Sequence, residues 1–306
     1  MHRRDFLRYM AALGLVARVR RRLVLPEEVW AMAPPQTPEP LLAKAQGSNY
    51  AHLVVDAIQA LGGMKKFVNP GEVVVVKPNM AWDRTPELAA NAHPLVVRQV
   101  VELCLETGAK QVKVLDNTCD DARKAYESSG IKAAVEGIKD PRVVVEFVDE
   151  RRFVELNIEK ARALKKWYFY KDILEADRFI NIPVAKQHSE ACLTMCLKNM
   201  MGAIGGWRGR IHVGLHQNIA DMNLLLRPDL HILDATRIML RNGPKGGRLE
   251  DMAVKNLLFA GTDPVALDAY GAGLFGLKPE DLGYVVKAHQ AGRGEMDLSK
   301  IKVLSA

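Results

Sequence analysis

The run Glu72-Val73-Val74-Val75-Val76, entered from Pro70-Gly71, constrains this chain more than any other stretch. Four consecutive valines without polar alternation predict a strand buried on both faces. Such a strand calls for a mainly parallel sheet with helices packed above and below. Val112-Lys113-Val114-Leu115, Val143-Val144-Val145-Glu146-Phe147 and Arg178-Phe179-Ile180-Asn181-Ile182 read as further strands, as do Leu230–Asp234 and Asn256–Ala260. Helical segments alternate with them. Tyr50–Leu61 is amphipathic and stops at Gly62-Gly63. His93-Pro94 opens a helix with Leu95, Val96, Val100 and Leu103 at helical spacing, closed by Gly108. Asp121–Ser128 follows the second strand, and Asp263-Pro264 supplies a cap and a first-turn proline for a late helix. The expected fold class is α/β: a largely parallel sheet with helices on both faces, a three-layer α/β/α arrangement.

At 306 residues and 48% hydrophobic, the chain can bury a large core, and residues 49–306 are expected to form a single α/β domain. Four cysteines (Cys104, Cys119, Cys192, Cys196) in a chain this long make no disulfide scaffold. No CxxC spacing occurs, so neither a zinc ribbon nor an iron–sulfur cysteine motif is encoded. Of the net charge of +7, +4 lies in residues 1–33. Beyond them no basic run is interleaved with aromatics, which argues against a nucleic-acid partner.

Residues 1–33 read as an address. Arg3-Arg4-Asp5-Phe6-Leu7-Arg8 resembles the twin-arginine export signal; an apolar run from Tyr9 to Ala17 follows, and Ala31-Met32-Ala33 has the small-x-small form of a cleavage site. The expected location is extracytoplasmic, in periplasm or at the cell surface, with the twin-arginine export machinery as a partner. The alternative is a cytoplasmic protein that keeps a basic N-terminal helix. Pro34-Pro35-Gln36-Thr37-Pro38-Glu39-Pro40 starts an extended linker, taken as residues 34–48.

In open α/β sheets ligands sit beyond the carboxyl ends of the strands. Lys77-Pro78-Asn79 stands at one such end and Asp116-Asn117 at another; Pro183 and Lys186 follow a third, Asp234 a fourth and Asp263 a fifth. Together they predict a shared polar cleft. Lys186–Gly206, KQHSEACLTMCLKNMMGAIGG, adds His188, Cys192, Thr194, Cys196, Lys198 and Asn199 with only Glu190 as a compensating acid. Read as a helix over Glu190–Met201, it places His188, Cys192 and Cys196 on one stripe and Thr194 with Lys198 on another. The first stripe is either a soft-metal face or a pair of cysteines packed as small hydrophobes. The second holds a lysine among methionines, which needs an anion or a depressed pKa. His212 and His216 are four apart and could share a metal, or could simply begin a helix. Asp268, among small apolar residues, is either paired in the core or turned to the cleft. Gly202, Gly205 and Gly206 leave the backbone open, and Arg241–Arg248 carries three cations in a glycine loop suited to an anion nest or a lid. Arg84, in the polar loop Asp83-Arg84-Thr85-Pro86, and His93 are expected over the same cleft.

The ordered series Lys77-Pro78-Asn79, His93-Pro94, Lys186-x-His188, Leu197-Lys198-Asn199-Met200-Met201-Gly202, Gly243-Pro244-x-Gly246-Gly247 and Gly261-x-Asp263-Pro264-Val265-Ala266-Leu267-Asp268 resembles the family called domain of unknown function 362. The resemblance runs over about residues 50–304. It implies a fold of this class and frequent export. Many members carry a fused module for iron–sulfur clusters, which this sequence lacks. A distant similarity, through Asp83-Arg84-Thr85-Pro86 and Glu106-x-Gly108-Ala109, is to the nickel-pincer lactate racemases. Those enzymes move hydride at the α-carbon of a hydroxy acid with a lysine-tethered cofactor and histidines.

The expected function is an enzyme, of oxidoreductase or racemase type, or a cofactor-dependent redox protein served by a separate redox partner, that binds an anionic small molecule. His188, Lys186 and Lys198 are the expected catalytic residues, His188 for proton transfer because its ordinary pKa is near neutral. Lys77, Asn79, Arg84, His93, Asp116, Thr194, Asn199, Asp234 and Asp268 are the expected binding residues. The cofactor is left open, with a metal ion admitted at His212, His216, Cys192 and Cys196. The rival is a non-catalytic exported metal- or ligand-binding protein.

Overall fold

The computed structural model describes residues 41–306. Twelve strands lie within them: β1 Leu41–Gln46, β2 Val73–Pro78, β3 Gln111–Val114, β4 Val143–Val145, β5 Phe153–Asn157, β6 Lys166–Tyr170, β7 Arg178–Ile182, β8 Val184–His188, β9 Cys192–Thr194, β10 Leu230–Met239, β11 Met252–Gly261 and β12 Lys302–Ser305. The main sheet runs β12-β1-β11-β10-β7-β2-β3-β4. From β10 to β4 every neighbour is parallel. At the other edge β11 runs antiparallel to both β10 and β1, and β12 pairs parallel with β1. The sheet is therefore mixed but largely parallel, as the valine run required. β5 and β6 form a separate antiparallel pair.

The alternation of β2 builds the three layers. Val74 and Val76 enter one core with helices Tyr50–Ala60, Pro94–Glu106 and Ile131–Glu136. Val75 enters the opposite core with Leu115, Phe179 and helices Leu215–Leu225, Pro264–Ala272 and Gly283–Gln290. Successive strand residues point to opposite faces, so one buried strand feeds both cores. Three predicted helix starts take the capping role expected of them: the His93, Asp121 and Asp263 side chains accept backbone N–H bonds from their first turns.

Two expectations fail. Leu41–Gln46, inside the stretch taken as linker 34–48, is a sheet strand with Leu42, Ala43 and Ala45 buried. Its apolar LLAKA pattern was masked by the prolines before it. Residues 1–40, with the leader, lie outside the described residues. The second failure is the helix over Glu190–Met201. β8 turns back antiparallel into β9, pairing His188 with Cys192 and Lys186 with Thr194, and helix begins only at Cys196, as one α-helical turn Cys196–Asn199 followed by a 3-10 turn Met200–Ala203. Cys192 takes φ +67°, which no helix interior accepts. The stripe of His188, Cys192 and Cys196 therefore does not exist.

Leu42→Ala is expected to cost about 2–5 kcal/mol, as for a core leucine, measured by urea unfolding. A cost within about 0.5 kcal/mol, typical of surface changes, would mean that Leu41–Gln46 behaves as linker.

Candidate functional site

β2, β3, β7 and β8 release their chain toward one region, and a cleft of ≈ 390 Å³ opens there. Three lysine side chains enter it from different elements. Lys77 (0% exposed) ends β2, Lys186 (1%) sits on β8, and Lys198 (7%) on the short helix Cys196–Asn199. An ammonium removed from water costs several kcal/mol unless it is paired, so the partners define the site.

Lys77 Nζ meets Asp116 Oδ1 at 2.8 Å, and the other carboxylate oxygen accepts the Met80 N–H at 2.8 Å. Burial still holds the Lys77 ammonium below its ordinary pKa, against the pull of Asp116. Lys186 Nζ donates to Asn79 Oδ1 at 2.9 Å and to the Ala90 carbonyl. Behind it runs a chain of amides, Asn79 Nδ2 to Asn199 Oδ1 and Asn199 Nδ2 to Asn181 Oδ1, each at 2.8 Å. Each carbonyl oxygen points back along the chain, so the oriented dipoles end on Lys186. These contacts offset burial only in part: the amine is pushed down to about 7, first by desolvation, with Lys198 and Lys77 adding repulsion.

Lys198 differs. Its one hydrogen-bond contact among the described residues is the Met201 thioether at 3.4 Å. Burial lowers it to about 8, against the pull of the Glu190 carboxylate on the same cleft, so it is mostly a cation at neutral pH with no oxygen in hydrogen-bond contact among the described residues. Thr194, 4% exposed and lining the same cleft, has a buried hydroxyl without a hydrogen-bond partner among the described residues. Unpaired buried polar groups are costly and rare. Two of them on one cleft wall make a receptor for an acceptor group.

His188 lines the cleft with its Nδ1 accepting the backbone N–H groups of Glu190 (3.1 Å) and Ala191 (3.2 Å). That fixes the tautomer: Nδ1 is the acceptor and Nε2 carries the proton. Burial, then Lys198, His212 and Lys186, push its pKa down to about 3. The histidine expected to shuttle protons because of its near-neutral pKa is instead a fixed neutral N–H donor. Lys186 takes the near-neutral titration.

Several expected site residues lie elsewhere. The Asp234 carboxylate, in mid-strand because β10 continues to Met239, accepts from His93 N–H, Thr236 N–H and the Thr236 hydroxyl. His93 is a helix cap packed edge-on against Tyr50. Arg84 is outside the cleft lining and donates to the Asp83 carbonyl. Asp268 supports the site from behind: its two oxygens accept the N–H groups of Cys196 (2.7 Å) and Leu197 (3.0 Å), capping the helix that carries Lys198 and Asn199. Burial raises that carboxyl to about 7. The metal set does not assemble. Cys196 is buried, His216 stacks on Tyr284 away from the cleft, and His212, though it lines the cleft beside His188, is bound to Glu190 at 2.6 Å. Among the described residues no three His, Cys, Asp or Glu side chains gather as a metal site. The three cations of the glycine loop are paired, Arg241 with Asp251, Lys245 with Asp120 and Arg248 with Glu250.

Sequence reasoning missed Trp82, Cys119 and Arg208, all on the cleft wall. Arg208 donates to the carbonyls of Asn117 (2.7 Å) and Met201 (3.3 Å) and to that of Thr118, tying the β3 loop to the segment after Lys198. Cys119 could have been found, three residues past Asp116 on the same strand end. Arg208 and Trp82 carry no local signal.

Gly202 is the tightest joint. A Cβ there would stand 1.9 Å from Asp116 Oδ1 and 2.7 Å from Lys77 Nζ. Gly202→Ala should therefore split the Lys77–Asp116 pair and lose roughly 1–3 kcal/mol or more, the range for overpacking, read from urea unfolding. Unchanged stability would mean that the pair is not packed as described.

A thylakoid-associated protein of Synechocystis sp. is 28% identical over 243 residues, covering 77% of this chain and 73% of that protein. Among solved structures, a Thermotoga maritima protein matches with a TM-score of 0.40 at 9% identity, covering 81% of this chain and 60% of its own. The lactate racemase apoprotein of Thermoanaerobacterium thermosaccharolyticum matches with a TM-score of 0.36 at 11% identity, over 80% of this chain and 58% of its own. The chain thus spans less than two thirds of the length of either solved structure. The model of the family described as domain of unknown function 362 matches residues 74–273. This chain belongs to that family.

Proposed function

We propose that the cleft binds a small organic anion and that the protein is an enzyme acting on it. The observation that carries this reading is Lys198: a buried cation with no hydrogen-bonded oxygen among the described residues, on the same cleft as the Thr194 hydroxyl, which has no hydrogen-bond partner among them either. A carboxylate or phosphate oxygen would satisfy both. The cleft's ≈ 390 Å³ suits a small molecule. The neutral His188 N–H is suited to polarise an oxygen of the bound molecule, and Lys186, at about 7, to give or take a proton near it. The contribution of Lys77 is structural, since Asp116 already neutralises it. An extracytoplasmic setting remains part of the proposal, supported by Arg3-Arg4-Asp5-Phe6-Leu7-Arg8. The metal-binding half of the rival reading loses support, since among the described residues Cys192, Cys196, His212 and His216 do not gather as a metal site; a non-catalytic ligand-binding protein would use the same cleft.

Two tests follow. Lys198→Met should weaken oxalate and inorganic phosphate binding by roughly 2–5 kcal/mol, the usual cost of removing one partner of a buried charge pair. Its melting temperature should hold or rise, because a buried cation is replaced by an apolar chain of similar size. Calorimetry and thermal unfolding check both, and normal anion binding by the variant would remove the proposal. The second test is pH. The binding form carries the protonated Lys198, so affinity should fall about tenfold per unit above pH 8, as the competent fraction falls. Affinity independent of pH between 7 and 10 would contradict the role.

A further inference from the structure

Cys119 is the exposed cysteine among the described residues, and it lines the cleft. The others are withdrawn from chemistry: burial raises the thiols of Cys104, Cys192 and Cys196. The loop that carries Cys119 is anchored on several sides. Its own N–H and that of Asp120 donate to the Ala81 carbonyl at 2.9 and 3.1 Å, Asn117 N–H donates to the Gly202 carbonyl at 3.0 Å, and Asn117 Nδ2 reaches Ile204 O at 2.9 Å. Arg208 grips the carbonyls of Asn117 and Thr118, and Lys245 pairs with Asp120 at 2.9 Å. A cysteine needed only for filling would not be held exposed on a loop so firmly fixed.

Lys77, Lys186 and Lys198 line the same cleft as the Cys119 sulfur. Thiolates, not thiols, are the nucleophiles, and reactive cysteines sit in electropositive, partly exposed surroundings of this kind. The unpartnered Thr194 hydroxyl on the same wall independently calls for a ligand oxygen.

We propose that Cys119 is the covalent nucleophile of this cleft and that the bound molecule is a small carboxylate bearing a carbonyl carbon. This rests on the anion-binding reading and deepens it. The step is an addition. The Cys119 thiol gives its proton to the neutral amine of Lys186, the sulfur–carbon bond forms, and the carbonyl π pair moves onto its oxygen. That oxygen is stabilised by the His188 N–H and takes a proton back from Lys186. Nothing is oxidised or reduced and no group leaves. Lys198 and Thr194 hold the carboxylate meanwhile.

Alkylation of the full chain tests the site. The rates of Cys119 labelling by iodoacetate and by iodoacetamide are followed by mass spectrometry at pH 7, with N-acetylcysteine as reference. The anionic reagent should be favoured at Cys119 by about tenfold or more over the reference ratio, the scale of electrostatic focusing in a charged cleft. Lys198→Met should bring that ratio back toward the reference. ¹³C NMR with glyoxylate labelled at its carbonyl carbon should show a hemithioacetal resonance that Cys119→Ser lacks. A reference-like alkylation ratio, or no Cys119-dependent resonance, overturns the inference. Oxalate calorimetry on wild type and Cys119→Ser then tells the failures apart: if both bind oxalate, the anion cleft stands without its nucleophile, and if neither does, both readings fall.

Discussion

Three lysine ammoniums carried below the surface set the terms for everything around them. Each would cost several kcal/mol if left unpaired in a low-dielectric interior. The chain answers with a carboxylate for Lys77 and a carbonyl and an asparagine chain for Lys186. Those partners arrive from β2, the loop after β3, the loop before helix Pro94–Glu106 and the helix Cys196–Asn199, so the charges weld separate strand ends into one rim. Gly202 is glycine because that weld leaves no room for a side chain. Of the three, only Lys198 is left without a hydrogen-bonded oxygen among the described residues, and that asymmetry gives the cleft its chemical direction.

The sheet was readable because valine runs and helical periods repeat a simple geometric rule. The six strands predicted from apolar runs are present, in a sheet that is parallel through β10, β7, β2, β3 and β4. What was missed had weaker local signal. β1 and β12 form the edge where apolar runs are short, and β8–β9 is a hairpin whose polar residues imitate a helix stripe. In β8 the side chains of Lys186 and His188 leave the same side of the strand, two residues apart, so a period of two was at work where a period of four was assumed.

The site was half readable, for a related reason. Lys77, Asn79, Asp116 and Lys186 reach the cleft as the strand-end rule required, while His188, Thr194, Lys198 and Asn199 reach it although the helix that singled them out is a hairpin and a single turn. Roles depend on partners, which the sequence hides. Asp234 and Asp268 look alike to His188 and Lys198 in sequence, yet their oxygens are spent on backbone N–H groups. His188 has the residue type of a proton shuttle, but two backbone donors fix it as a neutral donor. Cys119 and Arg208 belong to the site through loops that only the fold brings over it.

The titration of Lys198 itself is the most direct measurement. Lysine labelled at the side chain, assigned with Lys198→Met, can be followed by NMR across pH 6–11 with and without oxalate. The account predicts a midpoint near 8 in the free protein, moved upward when oxalate binds, because the anion stabilises the charged form. A midpoint at the ordinary lysine value, indifferent to oxalate, would mean that this side chain is solvated and that the cleft was not built around its charge.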